Sequence, residues 1–444
     1  MTNPRTAKLA WALTVGVVLA DSSIVTLALP EILTEFDATV FGVSWVLTAF
    51  NLVFALALIP AAIVARRTPG SAWAAGVVVF VLASAACALA DSGAVLIAAR
   101  CVQALGGAAA VAGAIELLSR LTGSHQSAAR IWGTAGLAGL ALGPAIGGIL
   151  TEALSWQSIF YVQIPILLLV PLALRVPGPA ESGSDGKIHP QPEIALAVLS
   201  AGLTGAIFLL VVMLTEGWRY SPLEAAAVVT AMPIATVLTS RLAARLEPSR
   251  SVIAAGAVAI ATGLALLGLL PDADWWWVVP PQVLVGTGIA FSLPGLTEMA
   301  LGGRDPVGRR AAGTISARHA GVVVGIVLLT PIFDAQLRVE YEDVRRSGTA
   351  LLLDAPLSPG TKVNLGEAIA DDVSDAEGAL PSLGPAFASV TPEPEQASDY
   401  LALRRGLEDE IDAAATHAFS PSFLIAGALA LFALAPILLS RRIE

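Results

Sequence analysis

Two cysteines, three lysines and four histidines are all the sequence holds of those types, and only 14% of it is charged. Each scarcity excludes something. Cys87 and Cys101 both lie in apolar stretches, where a thiol serves as a small packing group, so no disulfide framework is expected. Histidines and cysteines this few and this scattered offer no metal site. No glycine-rich loop ends in Lys-Ser or Lys-Thr, which argues against direct use of ATP. No enzyme signature is found, and neither a cofactor nor nucleic acid is expected. The shortage of charge excludes most: with 56% hydrophobic residues and a mean hydropathy of +0.76, a soluble domain would precipitate. The class is an all-α, polytopic membrane protein whose partner is the lipid bilayer.

What is present is a series of apolar runs, each long enough to cross a bilayer at about 20 residues. They fall at roughly 9–30, 42–64, 72–90, 94–119, 130–152 and 158–174, then 193–215, 222–240, 251–270, 276–301, 311–334 and 419–440. The first is too long for the core of a signal peptide and has many successors, so it is kept as a span. Twelve spans put both termini on one side. Connections on that side hold sixteen Lys and Arg, among them Arg66, Arg67, Arg120, Arg241 and Arg310, while the short loops opposite hold only Arg219. The excess of basic residues places both termini in the cytoplasm of a cell-membrane protein.

Pro177–Lys187 is polar and rich in Gly, Ser and Pro, the composition of a flexible linker. It divides the chain into an N-terminal six-helix bundle, 1–175, a cytoplasmic linker, 176–192, and a C-terminal six-helix bundle, 193–444. A basic turn after the second span, Ala65–Gly70, recurs as Ser240–Arg245 in the second half. Two pseudo-equivalent bundles suit alternating access around a central cavity. Segment 335–418 stands apart, with sixteen acidic and six basic residues, and topology puts it outside the cell. Tyr400, Leu403, Leu407 and Ile411 fall at helical spacing, so its end is expected to be an amphipathic helix and its Gly/Pro-rich middle a loop. A solvated acidic cap is the favoured role over partner docking. Trp275, Trp276 and Trp277 fit an interfacial aromatic belt.

Gly139, Gly143, Gly147 and Gly148 leave a strip without side chains in the fifth span, against which another helix can pack closely, and Pro144 adds an expected bend; packing and hinge are the roles inferred. Ionisable groups inside hydrocarbon are costly and so mark function. Asp21 and Arg100 lie at similar depth, within roughly 5 Å along the membrane normal at about 1.5 Å per residue, and are expected to pair. Burial opposes the charge on Asp21 and Arg100 sustains it, so a movement that separates them favours proton uptake. A permanently paired structural bridge is the alternative. Glu116 has Arg120 one turn away, which favours a structural ion pair over proton coupling. Arg318 should face a polar interior, and His319 is a candidate proton carrier or a hydrogen-bonded structural residue.

Asp21–Pro30 resembles the first-helix signature of the major facilitator superfamily, and within it of the drug to proton antiporters. Trp45–Phe50 resembles the second-helix signature. Arg100-Cys-Val-Gln-Ala-Leu-Gly-Gly107 is similar to the fourth-helix motif, Gly139–Gly148 to the antiporter motif of the fifth helix, and Trp156–Phe160 to the family's segment just after that motif. Tyr220–Glu224 and Arg318–Gly321 match second-half patterns, which resemble the fourteen-span branch although twelve runs are counted. Arg66 stands where the family loop between the second and third helices has an aspartate. The resemblance implies a secondary transporter, driven by a proton gradient, that exports hydrophobic or amphipathic compounds. Asp21, Arg100, His319 and Glu116 are the candidates for proton coupling, and Arg318, Gln103, Trp45 and Asn51 for the substrate cavity or polar interior. A metabolite importer on the same fold, or a membrane scaffold docking a partner through 335–418, are the other readings.

Overall fold

A computed structural model describes residues 4–123, 125–173, 190–246, 249–301, 307–375 and 383–440. Among them the regular structure is helical. In lipid a helix satisfies its own backbone hydrogen bonds, which is why apolar runs become helices here. The first half comprises α1 (Pro4–Thr26), α2 (Val40–Arg67), α3 (Pro69–Ala88), α4 (Gly93–Thr122) and α5 (His125–Ala153). Its sixth span, α6, is broken into Ser158–Tyr161, Ile164–Leu169 and Val170–Ala173. The second half comprises α7 (Pro190–Val212, continued by a π-helical turn Met213–Gly217) and α8 (Pro222–Val229 and Ala231–Ala243). It continues with α9 (Arg250–Leu267), α10 (Trp275–Leu301), α11 (Val307–Asp354) and α12 (Ala397–Phe432).

Local signals set the boundaries. Thr39 caps α2 by accepting from the Gly42 N–H at 3.0 Å, and Gly123, with φ of +58°, ends α4 in the left-handed conformation that glycine adopts without strain. Ser221 and Glu224 form a reciprocal capping box at the start of α8. Pro165 and Pro171 accompany the breaks in α6, whereas Pro144 sits inside an unbroken α5. Ten of these helices are long and apolar enough to cross a membrane by length and composition among the described residues, and α5 and the broken α6 complete two six-helix bundles. Leu56, Leu82, Leu105 and Leu238 are exposed on the outside, the inverse of a soluble surface. Residues 176–189 of the expected linker lie outside the described residues, and α7 already begins at Pro190.

Two expectations change. The spans expected at 311–334 and 419–440 belong to much longer helices. At about 1.5 Å per residue the 48 residues of α11 reach roughly 72 Å, against a hydrocarbon core of about 30 Å. The far end of α11 and the start of α12 therefore extend beyond what a hydrocarbon core can hold. The middle of the acidic segment is also not a loop throughout: Pro359–Asp375 and Gly384–Ser389 are helical. They enclose a small apolar core of their own, in which Leu365, Phe387, Tyr400, Leu403, Leu407 and Ile411 are buried. The helical spacing of the last four supplies that core, and the Tyr400 hydroxyl donates to the Phe387 or Val390 carbonyl, each at 2.9 Å.

The bundles meet along α2 against α11 and along α5 against α8. Ala311, Ala312 and Ile315 at the start of α11 pack into the apolar core of the N-terminal bundle. A central space is left between the halves.

Candidate functional site

α1 and α4 bring Asp21 and Arg100 into contact as their depths predict. The Arg100 Nη1 donates to Asp21 Oδ2 at 2.6 Å, and both side chains are 0% exposed. Arg100 Nε donates to the Val46 carbonyl at 3.2 Å, and its plane lies 4.2 Å from the centre of the Phe50 ring. The other carboxylate oxygen, Asp21 Oδ1, accepts from Gln163 Nε2 at 2.8 Å and lies 3.3 Å from Gln103 Nε2. Gln103 also accepts from Arg100 and donates to Ser84 Oγ at 2.8 Å. The result is a closed polar cluster drawn from α1, α2, α3, α4 and α6, with one acid and one base in it. Such a pair survives burial because nearly every lone pair and proton has a partner; Arg100 Nη2 alone has none among the described residues.

One turn of α1 faces two ways. Asp21 points into this cluster, while Ser22, Ser23 and Thr26 line a cavity of about 210 Å³ between the bundles. Asn51, Pro144, Ser200, Thr204, Arg318 and His319 contribute to its wall, which is otherwise mainly aliphatic. His319 Nδ1 lies 2.6 Å from Asn51 Oδ1, an acceptor, so that nitrogen carries the hydrogen; the ring also rests 4.6 Å from that of Phe54. Asn51 Nδ2 donates to the Leu47 carbonyl at 2.8 Å, and Ser22 reaches Asn51 Oδ1 at 3.4 Å. This chain of bonds joins α1 and α2 of one half to α11 of the other. Arg318, beside His319, has no hydrogen bond or ion pair among the described residues.

The remaining expectations divide. Gln103 is in the polar interior, in the closed cluster rather than the cavity wall. Trp45 is in neither: it is 37% exposed with its ring edge-on to Phe41, because it shares a face of α2 with the exposed Leu52 and Leu56. Glu116 bonds Arg120 Nε at 2.9 Å, and Arg120 also donates to the Arg66 carbonyl at 2.7 Å. It lies thirteen residues along α4 from Gln103, roughly 20 Å away at about 1.5 Å per residue, so the structure does not unite it with Asp21. Gly139, Gly143 and Gly147 pack on α1, where an added methyl would overlap Gly16 O, Ser23 Oγ and Ile24 O. Gly148 faces the other way, toward Ala226 and the Pro222 carbonyl of α8 in the opposite bundle.

Gln163 escaped the sequence reading. It sits where α6 is broken between two short helices, and the break turns its amide onto Asp21. The signal was a lone glutamine inside an apolar run, with prolines at 165 and 171 shortly after it. A second glycine seam was also readable: Gly321 and Gly325, four apart on α11, bring its backbone against Ala197 and Ala201 of α7.

The sequence profile of the Major Facilitator Superfamily matches residues 11–329. The chain is 37% identical over 157 residues to the Multidrug resistance protein Stp of Mycobacterium tuberculosis, a match covering 34% of this chain and 29% of that one. It is 25% identical over 399 residues to the Methylenomycin A resistance protein of Streptomyces coelicolor, covering 72% and 84% of the two chains. The match thus spans less than a third of the length of Stp. Among solved structures, a bacterial homolog of the human lysosomal transporter Spinster aligns over 99% of this chain and 97% of its own, with a TM-score of 0.63 at 16% identity, a likeness of fold.

Proposed function

Because the chain belongs to the Major Facilitator Superfamily, we propose that it is a proton-coupled exporter of amphipathic compounds that works by alternating access between its two bundles. The observation that carries this reading is the buried Asp21–Arg100 pair set one residue along α1 from the cavity wall. Drug-resistance and multidrug proteins among its relatives support the direction of transport.

Both termini face the cytoplasm in this reading, which the basic residues of the short connections favour. Asp21 takes up a proton from outside as its contact with Arg100 loosens. Loss of the ion pair frees α1 to shift against α4, and Ser22 and Ser23 carry that shift into the cavity. The His319–Asn51 bond, which ties the bundles together at the cavity, breaks and reforms as they rock. Gly148 lets α5 approach α8 of the opposite bundle. Release of the proton inside restores the pair and resets the cycle. Glu116 and Arg120 hold α4 against the end of α2.

The test uses proteoliposomes under an imposed proton gradient, with a panel of lipophilic cations, neutral antibiotics and amphipathic carboxylates. Asp21→Asn keeps the shape of the side chain and one of its two acceptor oxygens while removing the titrating group. Gradient-driven accumulation of at least one compound by the wild type, abolished in Asp21→Asn, is expected. Equal accumulation by the variant would overturn the role of Asp21, and no gradient-driven movement of any compound would overturn coupled export.

A further inference from the structure

We propose that the cargo carries an anionic oxygen group, a carboxylate or its equivalent, which docks on Arg318. This rests on the reading of the central cavity as the cargo site and adds the charge class to it. The argument is an inventory of charge and of hydrogen-bond capacity. Among the residues lining the cavity there is one guanidinium, one imidazole and no carboxylate. The nearby carboxylate, Asp21, is fully buried behind Ser22, with Arg100 and Gln163 already bonded to it. From Val307 to Phe333 the helix that bears Arg318 contains no acidic residue.

The donors of the wall are largely committed. Ser23, Thr26 and Thr236 hydroxyls donate to the Ala20, Ser22 and Met232 carbonyls at 2.8, 2.8 and 3.0 Å. His319 Nδ1 donates to Asn51, and Asn51 Nδ2 to Leu47. Ser200, Thr204 and Arg318 are not: none makes a side-chain hydrogen bond among the described residues, and of the three only Arg318 is charged, with five N–H groups left for whatever enters. A planar oxyanion can take two of them at once in a charge-assisted pair. A lipophilic cation in the same space meets a fixed like charge with nothing to neutralise it. The aliphatic wall, including Leu203, Ile289 and Val322, covers the apolar body of the cargo. The inside-negative membrane potential also drives an anion outward, in the direction of export.

Two probes with the same naphthylmethyl body and opposite charge test this: naphthylacetate and naphthylmethyl-trimethylammonium, titrated calorimetrically into the full chain in detergent. The wild type is expected to bind the carboxylate about tenfold more tightly or better than the ammonium. Arg318→Gln should erase that preference, Arg318→Lys should keep its sign, and Arg318→Glu should invert it. Equal or tighter binding of the ammonium by the wild type, or an unchanged preference in Arg318→Gln, would overturn the proposal. The lysine variant keeps the test decisive if the glutamine variant fails to fold, since loss of the preference with the charge retained would also overturn docking by charge. Binding here needs no gradient. Intact carboxylate preference with no gradient-driven transport would therefore remove the coupled-export reading alone, and coupled transport with a cation preference would remove this proposal alone.

Discussion

Arg100 and Arg318 are the two arginines that the helices carry into the middle of the molecule, one in each bundle, and the protein treats them in opposite ways. Arg100 is closed in: an aspartate, a backbone carbonyl, a glutamine and an aromatic face meet it, and no part of it is exposed. Arg318 is half-buried on the wall of a cavity with no such set of partners. A charge neutralised by the chain itself binds helices to one another and senses whatever alters its partner. A charge left open at a cavity waits for something that comes and goes. In the function proposed above, coupling and cargo recognition are thereby divided between the halves, and the bond between His319 and Asn51 joins them.

The sharpest way to break that contrast is to remove one partner from each region. Asp21→Leu strands the Arg100 charge in the N-terminal bundle and is expected to cost about 3–5 kcal/mol, the usual penalty for orphaning one member of a buried pair. Thermal unfolding in detergent, followed by tryptophan fluorescence, would show it as a large fall in Tm. Replacing both members, Asp21→Leu with Arg100→Met, should recover most of that loss, because a buried ion pair contributes little net stability over an apolar pair of similar volume. Arg318→Met should leave Tm unchanged or raise it, since no bond is lost. A fall as large as that of Asp21→Leu would show that Arg318 is structurally paired after all and collapse the distinction.

Next in size come the glycines, where the bundles should agree instead of differ. Gly147 brings α5 against Ile24 of α1, and Gly325 brings α11 against Ala201 of α7, each with room for no methyl group. Gly147→Ala and Gly325→Ala should each lower stability by about 1–3 kcal/mol through overpacking, to a similar degree. A loss in only one would mean that the two seams are not equivalent. Gly148→Ala differs again: it crowds Ala226 and Pro222 across the bundle interface, so its expected effect is on transport rate more than on Tm.

The parts legible in sequence were those governed by one-dimensional rules. The spans were readable because lipid demands long apolar helices, and the Asp21–Arg100 contact because depth in a membrane comes from counting residues. Trp45 was misread because a motif gives a helix and a position, while the face it presents depends on how α2 packs against α11. The outer half of α11 was unreadable as a span for the opposite reason: its helix continues in water, where it is polar and carries Arg345 and Arg346 in exposed pairs with Glu342 and Asp343. Gln163 was missed because only the broken geometry of α6 aims it at Asp21.

The smallest effect sharpens the contrast at the mouth of the molecule, where the charge has the other sign. The short helix Leu29–Glu35 comes directly after α1 and carries Glu31 and Glu35, and Trp156 Nε1 donates to Glu35 at 2.8 Å. Partial burial pushes the Glu31 carboxyl above its ordinary 4.5, and repulsion from Glu152 and Glu35 adds to the rise, against a lowering by the Trp156 backbone N–H. A carboxyl raised in the folded state binds its proton more tightly there than in the unfolded chain. Its contribution to stability is thus complete below about 4.5 and is lost as pH climbs through the raised value. Glu31→Gln, which cannot ionise, should therefore match the wild type near pH 4 and exceed it in Tm at pH 7, by less than any of the changes above. Equal Tm values at pH 7, or a wild type that is the more stable there, would mean that the ionised Glu31 is held by a favourable contact, and that the acidic mouth is as well neutralised as the cluster around Arg100.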